Sequence, residues 1–289
     1  KDLETAVSEF GMDFVIKPDG LTGGKGVKVS GDHFKKLAEA QVYVQELLKK
    51  DGEFLIEEKK KGKEFSLQVF TDGKNIIPMP LVRDYKRAYE NEQGPNTGSM
   101  GSYSLPSHNL PFLKKAEYEK ALNIMQCTIE ALNQQNEIRY KGILYGQFMK
   151  TEDGIFLIEY NVRFGDPEAM NVLKLLDSDF NEVTQQIIDG NLRSVKFKDL
   201  ATVCTYLVPK GYPTKPEKDK TITIEPSLTS DLYFASVYSN KKQIRTTNSR
   251  AIALVEEGES LEIARDKVYQ NIDKIRGELF FRKDIGSLL

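Results

Sequence analysis

The run Phe156-Leu157-Ile158-Glu159-Tyr160-Asn161-Val162-Arg163-Phe164-Gly165-Asp166-Pro167-Glu168 starts apolar and ends in charge. Alternate side chains of a strand share a face, so Phe156, Ile158, Tyr160 and Val162 are expected on one side and Leu157, Glu159, Asn161 and Arg163 on the other. The second face ends in a carboxylate, an amide and a guanidinium. Glu159 and Asn161 offer hard oxygens to Mg²⁺, and Arg163 beyond them can hold a transferring phosphoryl group. The plainer alternative is a half-exposed strand with a surface Glu–Arg pair.

Two other segments bear on that choice. Val15-Ile16-Lys17-Pro18-Asp19-Gly20-Leu21-Thr22-Gly23-Gly24-Lys25-Gly26-Val27 sets one lysine at a strand end and another inside a glycine-rich loop. Two cations and many unhindered backbone N–H groups suit a polyphosphate. Gly26 stands where a P-loop needs Ser or Thr, and the glycine spacing does not fit the dinucleotide fingerprint either. Taken alone, the segment reads equally as a hairpin with solvated lysines. The third segment, Arg83-Asp84-Tyr85-Lys86-Arg87, leads into Gly94-Pro95-Asn96-Thr97-Gly98-Ser99-Met100-Gly101, three cations beside a loop of glycines and small hydroxyls. It suggests an anionic ligand approached by backbone, with a charged connector as the dull alternative.

The whole chain sets bounds on this chemistry. Its 289 residues are enough for about two domains with a sizeable core. With 39% apolar and 29% charged residues, and no apolar run near the ~18 residues of a spanning helix, it reads as a folded globular protein outside the membrane. The 41 basic and 43 acidic residues nearly cancel, so the bulk positive field that argues for nucleic acid is lacking. Cys127 and Cys204 lie far apart, which argues for a reducing compartment, by default the cytoplasm. His33 and His108 are the only histidines, too few for a three-histidine metal site. The chemistry is therefore expected to run on carboxylates, lysines and arginines. A start at Lys1, with no basic and apolar leader, reads as a fragment, a processed product or a trimmed chain.

Short apolar runs alternate with stretches of helical period, the pattern of a mixed α and β fold. Strands are expected over Phe14 to Lys17 and Phe54 to Ile56. Between them Phe34, Leu37, Ala40, Val44, Leu47 and Leu48 predict a helix. Tyr118, Leu122, Met125, Ile129 and Leu132 predict a second, and Leu261, Ala264, Val268, Ile272 and Ile275 a third. After Asp189-Gly190-Asn191 the chain turns β-rich, with strands expected over Thr202 to Val208 and through Leu232 to Tyr238, so a domain boundary is placed near 192.

Taken in order, Lys17 to Val27, Asp84 to Pro106 and Ile158 to Glu168 resemble the motifs of the phosphoribosylamine–glycine ligases, a branch of the ATP-grasp ligases. Lys210-Gly211-Tyr212-Pro213, Thr247-Asn248-Ser249-Arg250 and Arg282-Lys283-Asp284-Ile285-Gly286 extend the resemblance, which runs from about residue 10 to the C-terminus. It implies an α+β ATP-grasp fold: a lid subdomain over 1–75, a catalytic subdomain over 76–192 and a small β-rich C-terminal domain over 193–289. It also implies ATP-dependent ligation of glycine to 5-phosphoribosylamine, giving glycinamide ribonucleotide, ADP and phosphate. A related ATP-grasp ligase or carboxylase, or a nucleotide-binding module without catalysis, stays open as an alternative.

Carried over by position, the resemblance gives Lys17 and Lys25 to the ATP phosphates, with Gly23, Gly24 and Gly26 in a mobile lid. Glu57 and Glu58 fall on the hinge that reads adenine, and Glu64 on the ribose. Glu159 and Asn161 would ligate Mg²⁺ or Mn²⁺, and Arg163 would stabilise phosphoryl transfer. Asp84, Lys86, Arg87, Asn96, Thr97 and Gly98 fall where the family handles glycine and phosphoribosylamine, with Asp84 and Lys25 counted among the catalytic groups beside Arg163. This chain departs from the pattern at the hinge, where Lys59 and Lys60 replace an aromatic residue and a leucine. Thr22, Gly23, Ser99, Ser102 and Val162 are small-for-small changes. The family's N-terminal domain has no counterpart here, so the chain alone is expected to bind ATP without completing the ligation.

Overall fold

A computed structural model of the chain describes residues 3–20, 26–50, 52–135 and 139–287. The chain separates into two compact units that part at Lys61/Gly62.

The first unit runs α1 (Leu3–Phe10), β1 (Phe14–Pro18), β2 (Lys28–Val29), α2 (Leu37–Lys50) and β3 (Phe54–Glu58). β1 lies between β2 and β3, antiparallel to both. Ala40, Val44 and Leu47, spaced one turn apart on α2, close over Phe14 and Ile16. Phe34, expected inside this helix, precedes it and packs its ring, tilted by 37°, at 5.2 Å from that of Phe14, while Leu48 faces solvent. The Glu39 carboxylate accepts from the Lys35 and Lys36 N–H groups at 2.7 and 3.3 Å, so the backbone donors before α2 are used and the helix starts after Phe34.

The second unit begins with β4 (Lys63–Thr71), β5 (Ile76–Pro78), β6 (Arg83–Asp84), β7 (Arg87–Tyr89), β8 (Gln93–Asn96) and β9 (Gly101–Ser104). It continues through α3 (Lys115–Gln135), β10 (Gly142–Lys150), β11 (Ile155–Asn161), α4 (Glu168–Leu175), α5 (Phe180–Asp189) and β12 (Ala201–Pro209). It closes with β13 (Thr221–Ile224), β14 (Asp231–Phe234), β15 (Val237–Asn240), β16 (Gln243–Thr246), β17 (Ile252–Gly258), α6 (Leu261–Ile272), β18 (Ile275–Arg276) and β19 (Leu279–Phe280). The helices expected around Met125 and Val268 are α3 and α6, except that Ile275 has passed into β18. The strand expected from Leu232 to Tyr238 is two strands, β14 and β15, in different sheets.

One sheet has the order β11-β10-β4-β5, antiparallel throughout. Its apolar face presents Phe65, Leu67, Leu144 and Phe148 to Ala121, Met125 and Ile129 of α3. The Phe65 and Phe148 rings stack at 5.4 Å. Because β4 is bonded to β10 along its whole length, it belongs to the second unit, and the first unit ends ahead of the boundary expected at 75. A second sheet has the order β14-β17-β12-β9-β6, with β19 also on β12. Here Thr202, Val203, Cys204 and Thr205 pair with Ser104, Tyr103, Ser102 and Gly101, so residues from both sides of 192 share one sheet and one core. β15, β16, β13 and β18 form a smaller sheet.

The strand alternation expected across 156–163 is interrupted. Phe148 pairs with Leu157 but Gln147 pairs with Glu159, which leaves Ile158 as a β-bulge. Leu157 therefore goes with Phe148 to the core face, not with Glu159, and Phe156 and Tyr160 fall on opposite faces. Tyr160 reaches α3 instead, its hydroxyl 2.6 Å from that of Thr128. Among the described residues no helix is long and apolar enough to cross a membrane, and Cys127 and Cys204 are both free.

Candidate active site

The face of the β4–β10–β11 sheet turned away from α3 is polar. Register and alternation put Glu64, Ser66 and Gln68 of β4, Tyr145 and Gln147 of β10, and Glu159 and Asn161 of β11 on it together. Each alternates with an apolar partner on the core side, as in Phe65-Ser66-Leu67-Gln68-Val69. The bulge at Ile158 lets β11 keep its apolar half in the core while Glu159 and Asn161 stay on the polar side.

Lys86 stands at the centre of the charges. Its Nζ donates to Glu64 Oε2 at 2.7 Å, and Gln147 Nε2 donates to the same oxygen at 3.1 Å. Asp84, on β6, is held by pairing with Ser102, and its Oδ1 is buried without a hydrogen-bond partner. Burial works against the Lys86 charge, but Asp84 and Glu64 outweigh it and lift the ammonium above the ordinary lysine range. Burial pushes the Asp84 carboxyl up, with Lys86 opposing. The site thus holds a firmly charged lysine against a carboxylate with an unused oxygen.

Behind this cluster lie residues to which the motif resemblance assigns no role. Glu168, the first residue of α4 and 3% exposed, has Oε1 at 2.8 Å from the Tyr145 hydroxyl, which also contacts Gln147 Oε1. Gln68 Oε1 accepts from the Gly165 N–H at 2.8 Å. A methyl at Gly165 would meet Glu168 Oε2 at 2.5 Å and the Tyr145 ring at 2.6 Å. Gly165→Ala is therefore expected to lower stability by about 1–3 kcal/mol, read by denaturant unfolding; an unchanged midpoint would show that Glu168 and Tyr145 can move aside.

Nearby, Arg250 Nη2 lies 2.6 Å from Asp166 Oδ2, and its guanidinium stacks 4.4 Å above the Tyr206 ring. Tyr206 in turn donates to Asp166 Oδ1 at 2.7 Å. The Gly98 backbone lies against this arginine: a Cβ there would be 3.2 Å from the guanidinium carbon. Thr97 is tied to Lys86 by two bonds to its carbonyl, from the amide at 2.7 Å and the hydroxyl at 2.9 Å. The structure thus brings Glu64, Asp84, Lys86, Glu159 and Asn161 together and joins Thr97 to them through backbone. Arg87 sits in the β7–β8 hairpin with Nη1 donating to Gly94 O at 3.0 Å, and Asn96 is exposed on the same hairpin. Arg163 is exposed, donating to Phe164 O at 2.7 Å and to Asn161 Oδ1 at 3.4 Å.

In the first unit Lys17 Nζ lies 2.5 Å from Glu57 Oε2, and Glu58 pairs with Lys60 at 2.5 Å. Gly26, with φ of +96°, packs against Pro18, and its carbonyl accepts from the Tyr43 hydroxyl. Gly23, Gly24 and Lys25 lie outside the described residues.

Residues 1–169 match the family profile described as phosphoribosylglycinamide synthetase, ATP-grasp (A) domain, and residues 202–288 match the C domain of the same synthetase. The chain belongs to the phosphoribosylglycinamide synthetase family. Its fold is therefore the α+β ATP-grasp fold, with a C domain. Phosphoribosylamine–glycine ligase of Pyrococcus furiosus is 48% identical over 99% of this chain and 65% of the relative. That of Methanosarcina barkeri is 49% identical over 95% of this chain and 64% of the relative. The solved phosphoribosylamine–glycine ligase of Thermotoga maritima superposes with a TM-score of 0.84 at 29% identity, covering 98% of this chain and 71% of that one. The biotin carboxylase domain of the Hydrogenobacter thermophilus 2-oxoglutarate carboxylase, solved with MgADP, superposes with a TM-score of 0.69 over 97% of this chain and 62% of that one. At 18% identity that likeness speaks to the fold alone. The synthetase-family chain spans about two thirds of its curated relatives, 65% of the first.

Proposed function

We propose that the protein containing this chain ligates glycine to 5-phosphoribosylamine at the expense of ATP, giving glycinamide ribonucleotide, ADP and phosphate. What supports the reading is family membership together with one arrangement: a charged lysine between Glu64 and Asp84, on the sheet face that also presents Glu159 and Asn161. A glycine carboxylate oxygen attacks the terminal phosphorus, the bond to the bridging oxygen breaks and ADP leaves. The amine nitrogen of phosphoribosylamine then attacks the acyl carbon, phosphate leaves and the nitrogen loses a proton. Neither step needs a protein nucleophile; alignment and charge neutralisation suffice.

Lys86 is assigned to hold an anionic group, and the unpartnered Asp84 Oδ1 to accept the proton that the attacking nitrogen loses. Glu159 and Asn161 fit Mg²⁺ or Mn²⁺, as two hard oxygens on one face of the same strand; an ion held by so few protein ligands completes its shell with phosphate oxygens and water. When bound, the ion neutralises phosphate charge. Arg163 is assigned to the transferring phosphoryl group, and Lys17, Lys25, Gly23, Gly24 and Gly26 to nucleotide phosphates. Glu57 and Glu58 are assigned to the adenine edge, Glu64 to the ribose, and Arg87, Asn96, Thr97 and Gly98 to the two small substrates.

The test is ADP release by the full-length protein. Release that requires both glycine and phosphoribosylamine is expected. Release with bicarbonate in place of glycine would move the reading to a carboxylase, and Mg-ATP binding without turnover would reduce it to a nucleotide-binding module.

A further inference from the structure

Glu168, Tyr145, Gln147, Glu64 and Lys86 form one line of polar contacts running from the start of α4 across the sheet. Its proton count is informative. Lys86 can only donate, so Glu64 Oε2 accepts from it at 2.7 Å and also from Gln147 Nε2 at 3.1 Å. With its amide turned to Glu64, Gln147 must face Tyr145 with its carbonyl oxygen. The single Tyr145 proton is then spent on Gln147 Oε1. Glu168 Oε1 nevertheless lies 2.8 Å from the same hydroxyl oxygen. An ionised Glu168 would bring two lone pairs together at that distance inside a buried site, whereas a protonated one donates to Tyr145 and makes every contact a donor–acceptor pair.

We infer that Glu168 carries a proton and acts as a positioning residue, fixing Lys86 through Tyr145, Gln147 and Glu64.

The surroundings agree. Burial first, and then the Asp84 carboxylate on β6, raise the Glu168 carboxyl to about 7, against its own backbone N–H, the Tyr145 hydroxyl and Lys86, all of which favour the charge. Glu159 on β11 adds negative potential at Tyr145, and the buried Cys204 thiol on β12 is pushed up, so it stays neutral. Asp166 and Arg250, also beside α4, are paired with each other, as are Lys174 of α4 and Asp231. A folded-state value raised above the ordinary 4.5 means that the native protein binds this proton more tightly than the unfolded chain, so Glu168 favours folding at low pH and that contribution is lost as pH rises toward about 7.

The role of Lys86 rests on the proposed ligase reading; the proton does not. The experiment therefore has two arms on the full-length protein. Infrared difference spectra without substrates are expected to show a protonated-carboxyl C=O band that bleaches as pH passes through about 7, is missing in Glu168→Gln, and moves to higher frequency in Tyr145→Phe, where its partner hydroxyl is gone. A band unchanged in Glu168→Gln belongs to another acid, such as Asp84, and overturns the assignment, as does the lack of any band. In the kinetic arm Glu168→Gln, whose amide still donates to Tyr145, is expected to restore turnover relative to Glu168→Leu, which loses about tenfold in kcat/KM, and to flatten the alkaline limb of the pH profile. Equal profiles for wild type and both variants would overturn the positioning role. A Glu168 band in a protein without glycine-dependent turnover would leave the proton assigned and remove the ligase reading.

Discussion

Glu159→Gln is expected to lower ATP-dependent turnover by about 10²–10³-fold while leaving the fold unchanged. The side chain is exposed on the polar face of β11 and is tied into no core contact. An amide of the same shape therefore costs little structurally. Its chemistry is different: a neutral oxygen in place of a carboxylate removes one negative charge from the two side chains proposed to hold the divalent ion. The measurement is ADP release across a Mg²⁺ titration, with urea unfolding alongside. A higher Mg²⁺ requirement and lower rate, at an unchanged unfolding midpoint, are expected. Wild-type rates with wild-type Mg²⁺ dependence would remove Glu159 from the metal.

The largest expected loss of stability comes from Arg282→Ala, about 3–5 kcal/mol. Arg282 is 1% exposed, yet its charge is fully engaged. Nε and Nη2 donate to the two Asp284 oxygens at 2.8 and 2.6 Å, Nη2 also to Glu92 at 2.9 Å, and Nη1 to the Arg87 carbonyl at 2.9 Å. The guanidinium lies 4.8 Å from the centre of the Tyr85 ring. Truncation strands Asp284 beside a cavity and unties the chain at Arg87 and Glu92, the hairpin that follows Asp84 and Lys86. The deficit also has a pH signature. Burial raises the Asp284 carboxyl, but the Arg282 bonds prevail and hold it below the ordinary carboxylate value of 3.8. That contribution is present above the ordinary value and is lost as pH falls through the depressed one, so the gap between variant and wild type should narrow in strong acid. Denaturant unfolding at neutral and acid pH reads both effects. A gap that stays constant would mean that cavity formation, rather than the stranded carboxylate, dominates.

The sequence discloses some of this architecture because local pattern and burial coincide. Ala40, Val44 and Leu47 repeat at helical spacing and do face the core of the first unit. Ala121, Met125 and Ile129 do the same on α3. Ile158 shows where pattern fails: nothing in the run 155–161 marks a bulge, since that depends on how β10 aligns with its neighbour, and so alternation alone groups Leu157 with Glu159. Other site residues were legible by a simpler signal than motif likeness. Glu64, Ser66 and Gln68, and then Tyr145 and Gln147, interrupt apolar strands at every second position, the mark of a sheet with one polar face. Arg250 and Arg282 carry no such mark. Their partners Asp166 and Glu92 lie 84 and 190 residues away, so only tertiary structure distinguishes these buried or stacked cations from surface ones. The sheet that joins β9 to β12 across position 192 leaves no mark in composition, because it pairs strands about a hundred residues apart.

That crossing sheet imposes an order on synthesis. The first unit has all its strands once β3 has left the ribosome. The ribbon of β6 and β9, which bears Asp84, must instead keep an unpaired edge until β12 arrives, roughly a hundred residues later. During that interval the nascent chain presents a β-edge open to other strands, and growing polypeptides on neighbouring ribosomes are the nearest source of them.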